Sequence, residues 1–431
     1  MHILYLCDEY PPPVVGGIGQ VVRLLAEGLV MQGHRATVVG QYWVDARREY
    51  EQNGVTVIKL PRPSKSRLTR NEVARRWLLA QSVHRLVRER RIDIVESPSY
   101  MGDGAFLQAR SCGVHHVLRV HGTESSKPAI AGSSCRRFSR YLETRAVKAA
   151  DSVVLVGRAA GMDLLRALGA RDCRTVVIPN PVDIRSFAPK TTEVPHPRLL
   201  YIGRVDQAKG AFALGAALPQ LLRAAPDLSV RFAGAEGREI GGRRRSGEVV
   251  VRSHLCAAQQ QRVRLLGRLS HPDLAREIQH STICMLPSLY ENFPCAVVEA
   301  MACAKPVIAS ARAHGDEVLI HDHSGMLVDP LDPEQMVGTV LELLADADKR
   351  ERLGWAARRL VERRNRWDVV VDANIRYYES CLSGEPLAGE LLPLRRFATD
   401  DPILRKGESG GRSFCDGKRK RLGCNSRHLY L

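Results

Sequence analysis

Two glutamates, Glu291 and Glu299, stand with seven residues between them in Pro-Ser-Leu-Tyr-Glu-Asn-Phe-Pro-Cys-Ala-Val-Val-Glu-Ala-Met-Ala. Glu299 is surrounded by Ala, Val and Met, a costly place for a carboxylate unless something hydrogen-bonds to it. A ribose diol could donate both hydroxyls to it, and Glu291 on the preceding loop could accept from sugar hydroxyls. A helix cap or an interdomain ion pair is the plainer alternative. Arg204 and Lys209 lie in Gly-Arg-Val-Asp-Gln-Ala-Lys-Gly. A planar guanidinium and a flexible ammonium at that spacing can reach one diphosphate, or can simply be two solvated charges. The order of Gly and Lys rules out a Walker motif.

Gly16-Gly17-Ile18-Gly19 precedes an apolar segment, so backbone N–H groups could meet an anion at a helix N-terminus. A tight strand–helix turn explains it equally well. Val22 stands where a dinucleotide fingerprint needs glycine, and no acid ends the second strand, so a nicotinamide site is disfavoured. His121, between Val120 and Gly122, reads as a core histidine or as a hydrogen-bond partner for a neutral substrate group. It has no metal-ligand neighbours in sequence. The Asp346-Ala347-Asp348 motif falls between two late helices and reads as a solvated turn. No metal and no cofactor is therefore expected.

These residues need a frame. Apolar strand-like runs occur at 2–6, 35–39, 55–60, 92–95, 116–120, 152–156 and 176–178, with amphipathic stretches at 21–31, 73–88 and 135–149. The pattern restarts with strands at 198–202, 229–232, 264–266, 282–286, 306–308 and 326–328. Helices follow at 211–223, 272–280, 295–303, 333–345 and 349–363. Continuous Val/Ile/Leu strands separated by helices predict parallel sheets covered on both faces. A proline-rich stretch around residue 190 divides them into two doubly wound, Rossmann-like α/β domains. Gly16–Gly19, His121, Gly203-Arg204 and 287–294 all follow strand ends, where open parallel sheets bind ligands. Two such edges facing each other would enclose one cleft.

The whole chain is consistent with this. Its 431 residues suit two domains, and 44% hydrophobic with 26% charged residues suits a globular protein. The 11 cysteines show no metal or disulfide spacing, which predicts reduced thiols, with Cys7, Cys284 and Cys303 buried, and a cytoplasmic location. Residues 1–7 read as a first strand rather than a signal peptide. The net charge of +17 concentrates in two places. Arg62–Arg91 holds ten basic and two acidic residues, and Asp401–Leu431 eight and three. The first segment reads as an amphipathic helix with a solvated basic face. Its sharper alternative is contact with an anionic membrane at the inner face. Nucleic acid is not expected, because no recognition module appears and aromatics make up only 5% of the chain. The tail from Ser383 onward lacks any sustained period and reads as poorly ordered.

Taken together, the motifs resemble retaining family-4 (group 1) glycosyltransferases of GT-B fold, from Met1 to about Leu382. The resemblance rests on Asp8-Glu9-Tyr10-Pro11-Pro12 with Gly16-Gly17, on Asn180-Pro181-Val182-Asp183, and on Arg204 with Lys209-Gly210. It continues in Pro287-Ser288, Glu291, Phe293, Glu299-Ala300-Met301-Ala302 and Lys305-Pro306-Val307. Ser324–Val328, Trp367 and Tyr377-Tyr378 complete it. The resemblance implies an acceptor-side domain at 1–187, a donor domain at 188–366, a crossover helix at 367–382 and a basic tail at 383–431. It implies transfer of a sugar from a UDP-, GDP- or ADP-sugar to a hydroxyl acceptor, without a metal and with retention of configuration. Glu299 would bind ribose, and Arg204, Lys209 and the backbone at Gly16 and Gly17 would hold the diphosphate. Glu291, with backbone groups near Phe293 and Cys295, would grip the sugar, and His121 would touch it from the first domain. Departures from the pattern are Asn292 and His314, each where glycine is frequent, Pro294, and Cys303-Ala304 in place of a small-residue–glycine step. Residues 236–252, with Gly241-Gly242-Arg243-Arg244-Arg245, read as a mobile loop or an exposed insertion. A GT-B-type epimerase or phosphorylase, and a basic scaffold or nucleic-acid-binding protein, are the rival readings.

Overall fold

The computed structural model describes residues 1–12, 16–62, 72–108, 112–123, 137–170, 173–190, 196–237, 246–385, 387 and 389–392. The arginine-rich part of 236–252 and most of the tail lie outside the described residues.

The first half alternates strand and helix as its periodicity requires. Its strands are β1 (His2–Leu6), β2 (Arg35–Tyr42), β3 (Arg48–Gln52), β4 (Val55–Pro61), β5 (Ile94–Pro98), β6 (His115–Val120), β7 (Ser152–Leu155) and β8 (Thr175–Val177). Its helices are α1 (Gly17–Met31), α2 (Glu72–Arg90), α3 (Arg137–Ala149) and α4 (Arg158–Ala167). Every residue of β1 and β5 is buried, as expected for strands covered on both faces. The exception is β3, an antiparallel edge strand on β4 whose Arg-Glu-Tyr-Glu-Gln sequence is mostly exposed.

In the second half, β9 (Arg198–Ile202) leads into α5 (Ala211–Ala224), and β10 (Ser229–Ala233) precedes α6 (Gly247–Arg252) and α7 (Ala257–Gln260). Then come β11 (Val263–Gly267), α8 (His271–Gln279), β12 (Ile283–Leu286), α9 (Cys295–Ala302), β13 (Val307–Ser310) and β14 (Met326–Val328). Helices α10 (Pro333–Ala345) and α11 (Ala347–Arg364) follow. The carboxylates of Asp332 and Asp346 accept from the N–H groups of Gln335 and Lys349, so both are helix N-caps. Asp346 of the Asp-x-Asp motif therefore has a structural task.

The chain then returns to the first half. Helix α12 (Trp367–Ser383) packs on α1, and β15 (Gly389–Glu390) pairs in parallel with β8. Among the described residues the first sheet runs β15-β8-β7-β6-β5-β1-β2-β4-β3 and the second β11-β10-β9-β12-β13-β14. The start of the supposedly unstructured tail thus adds a strand, and Leu392 is buried in the first core. Such a two-residue strand has no length over which a sequence period could show.

A buried polar network fastens α12. Arg119 on β6 donates to both carboxylate oxygens of Glu96 on β5, at 2.7 and 3.0 Å, and to Asn374 Oδ1 on α12. Tyr378 donates to Glu96 at 2.7 Å, and its oxygen lies 3.1 Å from the Tyr5 hydroxyl. The two chain crossings are stitched together as well. Val182 N–H donates to the Asn365 carbonyl at 2.8 Å, and Asn365 Nδ2 donates to the Asn180 carbonyl at 3.0 Å. No helix of the described residues is long and apolar enough to cross a membrane. Cys7, Cys284 and Cys303 are buried free thiols.

Candidate active site

The carboxyl edges of the two sheets meet at a cleft. After β9 the chain turns sharply and enters α5 through Gly210, whose φ of 72° favours glycine. A Cβ there would lie 1.8 Å from the Pro287 carbonyl oxygen, so only glycine lets this loop approach the loop after β12. Leu289 N–H donates to the Ala208 carbonyl at 2.9 Å and locks the two loops together.

That lock brings one member of each predicted pair into contact. Lys209 Nζ donates to Glu291 Oε1 at 2.6 Å, and the Ser288 hydroxyl donates to the same oxygen at 2.9 Å. Asp206 organises the cationic side. It accepts from Lys209 N–H at 2.9 Å and lies 3.0 Å from an Arg204 guanidinium nitrogen. The Tyr201 hydroxyl donates to the Arg204 and Lys209 carbonyls, at 2.6 and 3.0 Å. Arg204 keeps 54% of its side chain exposed, while Lys209 keeps 25% and Glu291 17%. Two carboxylates, one ammonium and one open guanidinium thus share a rigid corner.

Glu299 stands on α9, whose neighbours on the helix are apolar, and its side chain is 17% exposed. Its carboxylate accepts no hydrogen bond from the described residues. The nearest basic group is His271 Nε2 at 3.8 Å, at the start of α8. Burial is the sole cause that pushes the Glu299 carboxyl up to about 8. His271 does not offset it, because burial, then Arg23 of α1 and Arg268, hold the imidazole below its usual range. The unliganded site therefore contains a poorly satisfied acid at the cleft wall.

Phe293 and Cys295 lie between the two glutamates. The Phe293 ring is only 8% exposed and belongs to the second domain's core. Cys295 N–H donates to the Phe293 carbonyl at 2.9 Å, and its sulfur accepts from Asn180 Nδ2 at 3.5 Å. Burial pushes the Cys295 thiol up to about 12.

The first domain contributes the opposite wall. Gly16 is the N-cap of α1 and Gly17 its first residue. A Cβ on Gly16 would lie 2.3 Å from the Glu9 carboxylate, whereas one on Gly17 would meet nothing within 4 Å. Glu9 itself is raised by burial and then by Asp8, with the Gly19 N–H opposing the shift. His121 follows β6, and burial with Arg119 behind it lowers the imidazole to about 3, so it is neutral. The adjoining Gly122 faces Asn292 of the second domain, and a Cβ there would lie 2.3 Å from Asn292 Nδ2. Tyr290 donates to Asn292 Oδ1 at 2.8 Å and turns that amide. Beside it, Glu317 accepts from Ala159 N–H at the start of α4, a second bridge between the domains.

Lys209 and Glu291 are therefore brought into direct contact, and Arg204 is joined to Lys209 through Asp206. His121 is brought to the same seam by way of Gly122 and Asn292, whereas Glu299 stands apart beside His271. Sequence reasoning assigned no role to Asp206, Ser288, His271 or Glu317. Asp206 was visible three residues before Lys209 as a potential loop cap. No sequence signal marks Glu317, whose partner is a main-chain group in another domain.

Known proteins resemble the chain in sequence and in fold. The sequence model of the family "Glycosyl transferases group 1" matches residues 184–360, and that of "Glycosyltransferase Family 4" matches residues 15–186. A glycogen synthase of Mycobacterium tuberculosis is 26% identical over 93% of this chain and 100% of its own length. A sucrose-phosphate synthase structure from Thermosynechococcus elongatus superposes with a TM-score of 0.75 at 21% identity, covering 89% of this chain and 100% of that one. Anabaena HepE, in complex with UDP-glucose, superposes with a TM-score of 0.68 at 18% identity, over 88% of this chain and 100% of its own. The two adjoining family matches and the shared two-sheet architecture place the chain among the group 1 glycosyltransferases of GT-B fold.

Proposed function

We propose that this glycosyltransferase moves a sugar from a nucleoside-diphosphate sugar to a hydroxyl acceptor, with retention of configuration and without a metal ion or cofactor. The observation that carries the donor assignment is Glu299, a carboxylate at the cleft wall with no hydrogen-bond donor from the described residues. A ribose diol supplies two donors to one carboxylate, the geometry that buried acids require. The relative Anabaena HepE binds UDP-glucose on the same fold, which supports a donor of that class.

The remaining roles follow from the loops. Arg204 and Lys209 neutralise the diphosphate as it leaves, with Asp206 and the Tyr201 hydroxyl fixing their main chain. Electrostatic stabilisation of that departing charge is the principal catalytic effect. Glu291 accepts from hydroxyls of the transferred sugar while Ser288 and Lys209 hold it in place. Neutral His121 touches the sugar from the acceptor side. Metal independence rests on these two cations doing the work a divalent ion does elsewhere. Residues 1–187 receive the acceptor, and residues 188–366 hold the donor.

Isothermal titration with UDP-, GDP- and ADP-sugars tests the reading. One donor class binds the wild type, and Glu299→Ala weakens it about tenfold or more, the loss of a charge-assisted hydrogen bond. Unchanged affinity in Glu299→Ala overturns the ribose assignment. Turnover that survives EDTA supports metal independence, and turnover abolished by EDTA and restored by magnesium removes it.

A further inference from the structure

Helix α3 sorts its residues sharply. Arg137, Phe138, Arg140, Tyr141, Arg145 and Lys148 are exposed, while Leu142, Glu143, Ala146 and Val147 are buried. Its outward face therefore carries four cations and no carboxylate. Phe138 and Tyr141 are 41% and 51% exposed, and their rings stack 6.5 Å apart. Arg145 lies over the Tyr141 ring at 5.9 Å.

Neighbouring elements add to the same edge. In a parallel sheet, helices start where strands end, so the first turns of α2 and α3 lie at the carboxyl edge of the first sheet. Trp43, 72% exposed, directly follows β2, and Arg62, just past β4, lies over its ring at 4.9 Å. Trp77 and Leu78 in the second turn of α2 are 51% and 41% exposed. Three separate segments thus place large apolar side chains among arginines along one rim. Exposed apolar groups gathered this way mark an interaction surface.

We propose that this rim, centred on α3, docks on the headgroup layer of an anionic lipid bilayer. Tryptophan and tyrosine favour the membrane–water interface, and arginines beside them meet lipid phosphates. The ring faces explain why a bilayer fits better than a nucleic acid. Bases stack on open aromatic faces, but Phe138 and Tyr141 stack on each other and Arg62 covers Trp43. Phe138, Tyr141 and Trp43 nonetheless keep 41%, 51% and 72% of their surface exposed, area that a bilayer interface can cover. Nothing in this inference depends on which sugar is transferred.

The test is flotation of the full-length chain with vesicles of phosphatidylcholine alone or mixed with phosphatidylglycerol, at low and high salt. Thermal midpoints of all variants are measured alongside. The chain is expected to float only with the anionic vesicles and less at high salt. Phe138→Ser with Tyr141→Ser, and separately Arg137→Glu with Arg140→Glu, lower the bound fraction about tenfold. Failure to float overturns the proposal. So does flotation that both double variants leave intact, which would place the contact elsewhere, for example on the basic tail. Binding of a single-stranded RNA oligomer that the variants abolish, without vesicle binding, would make the rim a nucleic-acid surface instead.

Discussion

Glu299 sits on a helix that offers it nothing to bond with, and its titration follows from that. An unfolded glutamate titrates near 4.3, and burial pushes the folded one up to about 8. Between those values the folded state holds a proton that the unfolded state has lost. The contribution of Glu299 to stability therefore falls as pH rises from about 4.3 to about 8. Donor hydroxyls favour the ionised carboxylate, so the dependence of binding has the opposite sign. Donor affinity is expected to strengthen as pH rises from 6 to 8, by up to about tenfold per unit. Glu299→Gln is expected to flatten both trends. Titration calorimetry and thermal melts across that range check both, and a pH-independent wild type contradicts the expectation. His121 acts in the opposite sense at lower pH: burial holds its folded titration down to about 3, so its contribution to stability rises with pH up to the unfolded value near 6.5, and between about 6.5 and 8 it leaves the Glu299 trend alone.

Individual elements show how far local chemistry was obeyed. The sequence departs from its family at Ala304 and His314, where glycine is usual. The backbone at these residues is left-handed, with φ of 54° and 56°. An L-residue there is strained by about 1 kcal/mol or more. Ala304→Gly and His314→Gly are therefore expected to stabilise the fold by about 0.5–1 kcal/mol each, after the greater chain entropy of glycine is subtracted. Urea denaturation of each variant reads this directly, and a lowered midpoint refutes it. Most of the predicted strands and helices were legible because they bury continuous Val/Ile/Leu runs or amphipathic faces. Among what escaped, β3 is a mostly exposed edge strand and β15 spans two residues, while the end of the stretch read as a mobile loop or exposed insertion is α6, six residues long, whose Val251 is buried in the second core. The glutamate and the arginine–lysine pairs were legible from residue type and loop position. Their contact at 2.6 Å was not, because Gly210 and the Leu289–Ala208 hydrogen bond create it in space.

Across the whole molecule, one contact between the two domains runs where Gly122 and Gly157 meet Asn292 and Glu317. A Cβ on Gly157 would lie 2.7 Å from both the Asn292 carbonyl oxygen and a Glu317 carboxylate oxygen. Gly157→Ala is thus expected to hold the domains apart by pressing from the first domain on Glu317 and on the main chain of the loop after β12. Donor affinity should stay within about threefold, while kcat falls about 10- to 100-fold, the usual effect of misplacing a reacting group by about an ångström. Equal losses in both would show that the seam only supports stability. A scattering measurement of the radius of gyration, wild type against variant, shows whether the domains are held further apart.

The return of α12 to the first sheet has a further consequence, for the order in which a ribosome can finish this protein. The second sheet is built from one unbroken stretch, β9 to β14, and can close on its own core as soon as it emerges. The first sheet is synthesised earlier but waits for Val370, Val371, Tyr377 and Tyr378 to complete its core. Until Tyr378 and Asn374 arrive, Glu96 and Arg119 lack half of their hydrogen-bonding shell. The half made first is thus completed last, and a nascent chain stalled before residue 367 would carry a finished second domain behind an unfinished first domain.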